Sequence, residues 1–330
     1  MRIRSLHIHP VKSLLPVSLP STSLSATGFP HDRTFLLQRL DTSPPKVLQI
    51  GHHAPLCLFA VTISSDNTTL TVTHRPSAES TSFPLSPAGS ALGDQVEITL
   101  YQSSTAARLV GIEQDEFFTA KLGFPTRLVY LGFGKRKVLG NVAPTAESSG
   151  VVGSLLRWTG LGAAKEEERF ITFADVASLM ITSTVSMDTL STKLPEGAVT
   201  MDRFRPNIVV EPEEGEDVEA FEEDFWGELK VAGDEASEVV IALTANCARC
   251  QSLNVDFETG AHVHKDRQIL KVLSKDRRVD PGMKYSSVFG RYGFLVGGQE
   301  AQLKIGDRVT VSKRLEERTV FQWPGLGTST

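Results

Sequence analysis

The chain has 330 residues, 40% hydrophobic and 22% charged, with 34 Lys and Arg against 39 Asp and Glu and a formal net charge of −5. That length holds two domains of ordinary size, and that balance is the one of a soluble globular protein. The acidic excess argues against a general nucleic-acid binder while leaving room for a local basic pocket, and no apolar run approaches the roughly 20 residues that cross a bilayer.

The first ~105 residues read as short β runs cut by Pro, Gly, Ser and Asp. Ile3–Ile8, Arg33–Leu40, Leu58–Ser64, Thr68–His74 and Gln95–Tyr101 alternate or cluster β-branched and aromatic residues. They predict a small all-β barrel or sandwich. Residues 76–93 are polar and low in complexity, and read as a loose loop. Asp115–Leu122 is a short helix candidate, and Gly134–Gly150 a basic and then Ser/Gly/Pro-rich connection. Asp175–Lys193 is the clearest helical region, with a strand-like entry at Leu179–Ile181. Phe204–Val210 is a β run, and the acidic stretch Glu211–Asp224 after it reads as a solvated face. Trp226–Ala232, Val239–Leu243, Phe289–Val296 and Gln302–Val311 add strands, with a short helix at Arg267–Lys275. The expected fold is mostly β with α+β character, divided into residues 1–105 and 106–330.

Two of the three cysteines lie in Cys247-Ala248-Arg249-Cys250, after the apolar run Val239–Leu243 and before a turn. Three cysteines build no disulfide framework, so a reducing compartment is expected. Spacing alone leaves four readings of this element open. They are a buried pair at a strand end, a redox pair, part of a zinc site with His262 and His264, and a single-thiolate metal site. A redox pair needs the motif at a helix start, and a structural zinc needs four ligands. Thiolate suits soft and transition metals, and a neighbouring cation lowers a thiol's pKa.

Two other segments offer groups for an anion. In His9-Pro10-Val11-Lys12-Ser13 the proline stops a ladder and leaves Lys12 and the Ser13 hydroxyl at a strand end. That reads either as a phosphate clamp or as a surface lysine beside a turn. In Arg203-Phe204-Arg205-Pro206-Asn207, alternation along a strand puts both guanidiniums on one side. Asn207 adds an amide suited to the edge of a heterocycle, and an edge-strand salt bridge is the other reading.

In chain order, these stretches and several others resemble the MOSC superfamily of molybdenum-cofactor-binding proteins. Within it the chain is most similar to the amidoxime-reducing components and the C-terminal domain of molybdenum cofactor sulfurase. Ile8–Ser13 resembles the family's N-terminal barrel signature, which usually has Tyr where His9 stands. Gly28-Phe29 with Asp32-Arg33 and Asp115–Leu128 match further family stretches, with Phe117 where Trp is expected. Phe173–Met187, Arg203–Val209, Cys247–Cys250 with Val255-Asp256 and Thr259-Gly260, Phe289–Tyr292 and Ile305–Asp307 complete the series. Ile50-Gly51-His52-His53-Ala54-Pro55 stands where the family often has Thr-Gln-Arg before a proline, and Phe257 replaces the usual proline after Asp256.

The resemblance implies an N-terminal β-barrel, a β-barrel-based MOSC domain with short helices, and a molybdopterin cofactor between them. It implies Cys250 as the metal ligand and catalytic residue. It implies Lys12, Ser13, Arg33, Arg205 and Asn207, with the main chain around Ala248 and Arg249, as cofactor anchors, and Ser183 and Tyr292 as weaker ones. Pyridoxal phosphate is not expected. The activity implied is reduction of N-hydroxylated compounds such as amidoximes and hydroxylamines by oxygen-atom transfer. Too few cysteines remain for an iron–sulfur cluster, and no G-x-G-x-x-G follows a strand. Electrons would then come from outside, through cytochrome b5 and its NADH-dependent reductase or an equivalent. A cytoplasmic protein without a visible anchor is expected, since alternation starting at Ile3 leaves no room for a targeting peptide. Association with mitochondria is compatible with that. The rival expectations are a cofactor carrier or sulfur-handling protein without reductase turnover, and a metal-free binding module in which Cys250 is a structural thiol.

Overall fold

A computed structural model describes residues 1–141, 168–232, 238–297 and 300–327. The fold is mostly β. An eight-stranded sheet runs in the order Val17–Leu19, Arg2–Ile8, Ile208–Glu211, Leu179–Ser183, Val288–Val296, Glu238–Ala248, Trp226–Ala232, Val309–Arg314. Within it Leu179–Ser183 and Ile208–Glu211 pair in parallel, and the other pairings are antiparallel. Its inner face is the Val/Ile/Leu set that alternation predicts, including Ile3, Leu6, Ile181, Ile208, Leu229, Ile241 and Leu295. Each such side chain contributes about 1.5–3 kcal/mol on burial.

A five-stranded sheet (Lys46–Val47, Phe35–Arg39, Thr126–Tyr130, Ser103–Leu109, Gln95–Leu100) and a three-stranded sheet (Phe59–Ile63, Thr69–His74, Glu79–Pro84) share a second core. Phe35, Phe59, Leu70, Val72, Phe83 and Leu128 fill it, and Phe118 of helix α1 (Ile112–Leu122) closes it. Strand Ser103–Leu109 crosses residue 105, and the strand at the chain's start pairs with Ile208–Glu211 of the larger sheet.

Several expectations change. Residues 76–93 are not all loop, because Glu79–Pro84 is a strand. Its Thr81 and Phe83 point inward, and the outward hydroxyls of Ser80 and Ser82 meet those of Thr73 and Thr71 at 2.9 and 2.8 Å. Hydroxyl pairs across strands stabilise a ladder that composition alone reads as loop. The helical region Asp175–Lys193 is instead a loop, the strand Leu179–Ser183 and helix α2 (Thr184–Ser191). The β run at Phe204 begins only at Ile208, after a 3-10 turn at Met201–Phe204. Helix α3 is shorter than expected, at Ile269–Leu273. The Gly134–Gly150 connection lies in part outside the described residues.

Glycines in two of the family-like stretches answer to close packing. A Cβ on Gly28 (φ 105°) would lie 2.7 Å from the Ser178 carbonyl oxygen, and one on Gly290 (φ 78°) 2.7 Å from that of Ile181. Both also use the left-handed region that side chains disfavour.

The acidic stretch is largely matched by cations. Glu211 accepts from Arg2, Glu213 lies 3.5 Å from Arg308, Glu222 pairs with Arg314, and buried Asp224 takes both Arg277 and Arg318. It acts as a brace across the sheet edge as well as a solvated face.

Candidate functional site

A cleft of about 310 Å³ opens where the two β systems meet. The segment after the first strand reaches it because Lys12 N donates to Phe35 O at 2.8 Å and Phe35 N to Pro10 O at 3.0 Å. Arg33 is tied in by its own N–H on His9 O and by Phe173 N on its carbonyl, each at 2.9 Å. From the other side come residues 174–180, 204–207, 247–252 and Tyr292.

Lys12, Ser13, Arg33, Arg205, Asn207, Ala248, Arg249, Cys250 and Tyr292 all line this cleft. Ser183 does not; its buried hydroxyl accepts from Val185 N at 3.2 Å and caps α2. The two arginines around Phe204 do not share a side. Arg203 turns away and donates to Ala198 O, while Arg205 enters the cleft and donates to Leu14 O at 2.7 Å. The reason is local: Arg205 closes the 3-10 turn at φ 55°, so the backbone is not extended there. Asn207 is already committed, accepting from Met180 N and Arg33 Nη1 and donating to His7 O. It braces the cleft wall with its oxygen and one amide hydrogen.

Lys12 is only 6% exposed, and its ammonium donates to Phe173 O at 2.9 Å and to the Asp175 carboxylate. Burial pulls the Lys12 pKa down, and Asp175 opposes that. Burial alone would raise Asp175, but Lys12, then Arg33 and Arg136, outweigh it and hold the carboxyl well below its ordinary range. The Asp175 side chain is still 47% exposed, so it is an ionised acceptor facing the cleft. Arg136, fully buried, donates to the carbonyls of Thr172, Ala174 and Asp175 and so shapes the loop that carries this aspartate. Tyr101 donates to Asp175 at 3.3 Å and accepts from Gln49 at 3.2 Å. Burial raises the Tyr101 and Tyr292 phenols well above their ordinary value, so both stay neutral.

Arg205 and Arg249 hold the most informative atoms. Arg205 Nη2 and Arg249 Nε are buried without a hydrogen-bond partner. Burial, then Arg33 beside it, pulls the Arg205 pKa down to about 9. Such a group calls for an anion, since leaving a buried charged donor unpaired costs more than the usual 1–3 kcal/mol. Arg249 donates to Cys247 Sγ at 2.8 Å and to Phe204 O at 2.7 Å. Cys247 is buried, and burial raises its thiol pKa although Arg249 opposes this. Cys250 is exposed, 3.2 Å from the Ser252 hydroxyl.

The C-x-R-C element thus splits into one buried and one accessible thiol. It opens the 3-10 turn Gln251–Asn254 and not an α-helix, unlike a helix-start redox pair. Among the described residues no three His, Cys, Asp or Glu side chains gather as a ligand set, which leaves the zinc reading without ligands. Ser13 (φ 74°), Arg33 (51°), Tyr101 (51°) and Arg205 (55°) all adopt left-handed backbone. Such conformations cost about 1–3 kcal/mol each and concentrate at functional sites.

Sequence reading missed Asp175, Tyr101, Gln49, Gly51, His52, Phe204 and Ser252 as cleft residues. Asp175 was within reach, inside the family-like stretch Phe173–Met187. Gly51 and His52 lie in the departing stretch Ile50–Pro55, of which Ile50, Gly51 and His52 line the cleft. Nothing local marks Tyr101.

The arrangement defines a class. Residues 1–125 match the model of the MOSC N-terminal beta barrel domain, and residues 168–310 that of the MOSC domain. The chain belongs to the MOSC-domain proteins that carry this N-terminal barrel. Among individual proteins, it is 34% identical over 143 residues to mitochondrial amidoxime reducing component 2 of Homo sapiens, covering 42% of this chain and 38% of that protein. It is 32% identical over 128 residues to mitochondrial amidoxime-reducing component 1 of Danio rerio, covering 39% and 35%. It is 23% identical over 292 residues to molybdenum cofactor sulfurase of Oryza sativa subsp. japonica, covering 84% of this chain and 31% of that protein. The matched stretch spans well under half the length of each of these relatives. Among the described residues no helix is long and apolar enough to cross a membrane.

Proposed function

We propose that this chain is a molybdenum-cofactor-dependent reductase of N-hydroxylated compounds, with the cofactor held in the cleft. One observation carries the reading: a single cleft joins the exposed Cys250 thiol to buried guanidinium nitrogens that lack partners. These residues fit a ligand that is at once a soft metal and an anion. The bound cofactor would supply two-electron oxygen-atom transfer at an N–O bond.

The chain supplies placement and electrostatics. Cys250 offers the metal its protein ligand. Lys12, Arg33, Arg205 and Arg249 hold anionic groups, Arg205 through its spare Nη2. Asp175, kept ionised by Lys12, accepts an N–H or O–H from cofactor or substrate. The neutral Tyr101 and Tyr292 phenols narrow the cleft without adding charge. Electrons come from a separate protein, cytochrome b5 with its NADH-dependent reductase or an equivalent. The names of the vertebrate relatives support association with mitochondria as part of this proposal.

The test is elemental molybdenum and pterin fluorescence on native protein, with benzamidoxime reduction driven by reduced viologen. Molybdenum near one equivalent with turnover is expected; protein that binds no molybdenum would overturn the reading. The second reading, a cofactor carrier or sulfur-handling protein, draws support from the longer alignment with the sulfurase. It expects molybdenum and pterin without benzamidoxime turnover.

A further inference from the structure

Residues 261–285, just beyond the C-x-R-C element, hold seven Lys and Arg against three Asp in a chain of net charge −5. Lys265, Arg267, Lys271, Lys275 and Arg278 are exposed. Among the described residues none of these five side chains has an ion-pair or hydrogen-bond partner. The three aspartates are engaged instead: Asp266 lies 3.0 Å from His264, Asp276 2.6 Å from Lys193, and Asp280 accepts from Asn246 and Gly282 N. These five cations are therefore unmatched among the described residues, while Arg277 of the same segment pairs with Asp224, in contrast to the acidic stretch, whose carboxylates are mostly paired.

This segment is fastened to the cleft. Asn254, last residue of the turn that follows Cys250, accepts from Val263 N at 2.8 Å and, through its side chain, from Leu270 N at 3.2 Å. Two residues past the segment's far end, Ser287 O accepts from Arg249 N at 2.8 Å. Lys271 and Lys275 are four residues apart on α3 and the turn that continues it, so they project to one side. Tyr285, 72% exposed, supplies an aromatic at the edge.

We infer that this cationic segment is the docking surface for the acidic face of the protein that delivers electrons to the cleft. The inference rests on the reductase reading above. Unpaired cations on a segment hydrogen-bonded to the turn that follows Cys250 steer an acidic partner and set its orientation. Interspersed aspartates and an acidic chain disfavour an extended polyanion such as nucleic acid, whereas an exposed Tyr on a segment that also exposes Arg267 and Arg278 suits a protein interface.

The experiment uses the full chain with Lys265→Glu, Arg267→Glu, Lys271→Glu and Lys275→Glu combined, and a second variant with Gln at the same four positions. The probe is the soluble haem domain of cytochrome b5, native and with its surface carboxylates amidated. Calorimetric binding at low salt should weaken about tenfold or more on charge reversal, less with Gln, and similarly when wild type meets the amidated probe. Viologen-driven benzamidoxime reduction should not change, because these residues lie outside the cleft. Unchanged binding in the charge-reversed variant overturns the inference. So does loss of binding to phosphatidylglycerol vesicles with haem-domain binding intact, which makes a lipid surface the occupant. A wild type that binds the probe but turns nothing over with viologen refutes the reductase reading and leaves the docking measurement to be decided by itself.

Discussion

Arg33 Nη1 donates to Asn207 Oδ1 at 3.2 Å, joining residues 174 positions apart. The same guanidinium reaches Arg205 O through Nη2, also at 3.2 Å, and pairs with Asp32. The turn that presents Arg205 is thereby locked to the segment that presents Lys12. Cofactor affinity and the mutual placement of the two β systems should therefore respond to the same substitutions.

Cys250→Ala is expected to abolish turnover and change the molybdenum EPR signal. Cys247→Ala should keep that signal, because its thiol is buried and already accepts from Arg249. Retention of the signal in the Cys250 variant, with loss in the Cys247 variant, would reverse the assignment.

Lys12→Ala, Arg33→Ala and Arg205→Ala should each weaken cofactor retention about ten- to hundredfold, the value of one charge-assisted hydrogen bond of roughly 1.5–3 kcal/mol. Pterin content after gel filtration measures it. Arg205→Ala should lose the least stability of the three, since its Nη2 has no protein partner to forfeit. Wild-type pterin content in all three variants would sink the assignment.

Neutralising the acidic stretch at Glu213 and Glu222 should leave donor-driven turnover unchanged. Each carboxylate belongs to an exposed pair, with Arg308 or Arg314, worth about 0–1 kcal/mol. A small drop in Tm and no kinetic effect is the expected result. Slower turnover at low salt only would make this stretch a docking face after all.

Glu223 gives stability a pH dependence. The side chain is 1% exposed, and burial raises its pKa to about 7 while the Ser186 hydroxyl, donating at 2.7 Å, opposes this. The folded state thus prefers the protonated acid. Relative to the unfolded chain, no stability is lost below pH ~4.5; the loss grows as pH rises to about 7 and is complete above it. Glu223→Gln should therefore gain stability over wild type as pH rises from 5 to 8.5, by about 3 kcal/mol at most. Parallel urea-melt pH profiles for the two proteins would refute it.

Local chemistry determined much of this protein. Alternating Val, Ile and Leu marked strands such as Arg2–Ile8, Trp226–Ala232 and Val288–Val296, because a strand with one buried face writes its period into the chain, whereas Ser103–Leu109 and Thr126–Tyr130 went unmarked. Pro10 and the glycines at 28 and 290 marked where the backbone stops or passes close. The order of short motifs identified the MOSC class and singled out the C-x-R-C element. What the tertiary structure decided were the contacts that no spacing encodes. Arg203 and Arg205 part company because a non-glycine residue takes φ 55° between a 3-10 turn and a proline, a conformation held by distant contacts and not by its own propensity. Ser183 spends its hydroxyl on a helix cap. Asp175 enters the cleft on a loop held by Lys12 and buried Arg136, far away in sequence, and Tyr101 reaches it from a separate strand turn. Charge follows the same division: sequence counts the acidic residues of 211–224 and the basic ones of 261–285, but only folding shows, among the described residues, that most of the first set is paired and that Lys265, Arg267, Lys271, Lys275 and Arg278 of the second are not.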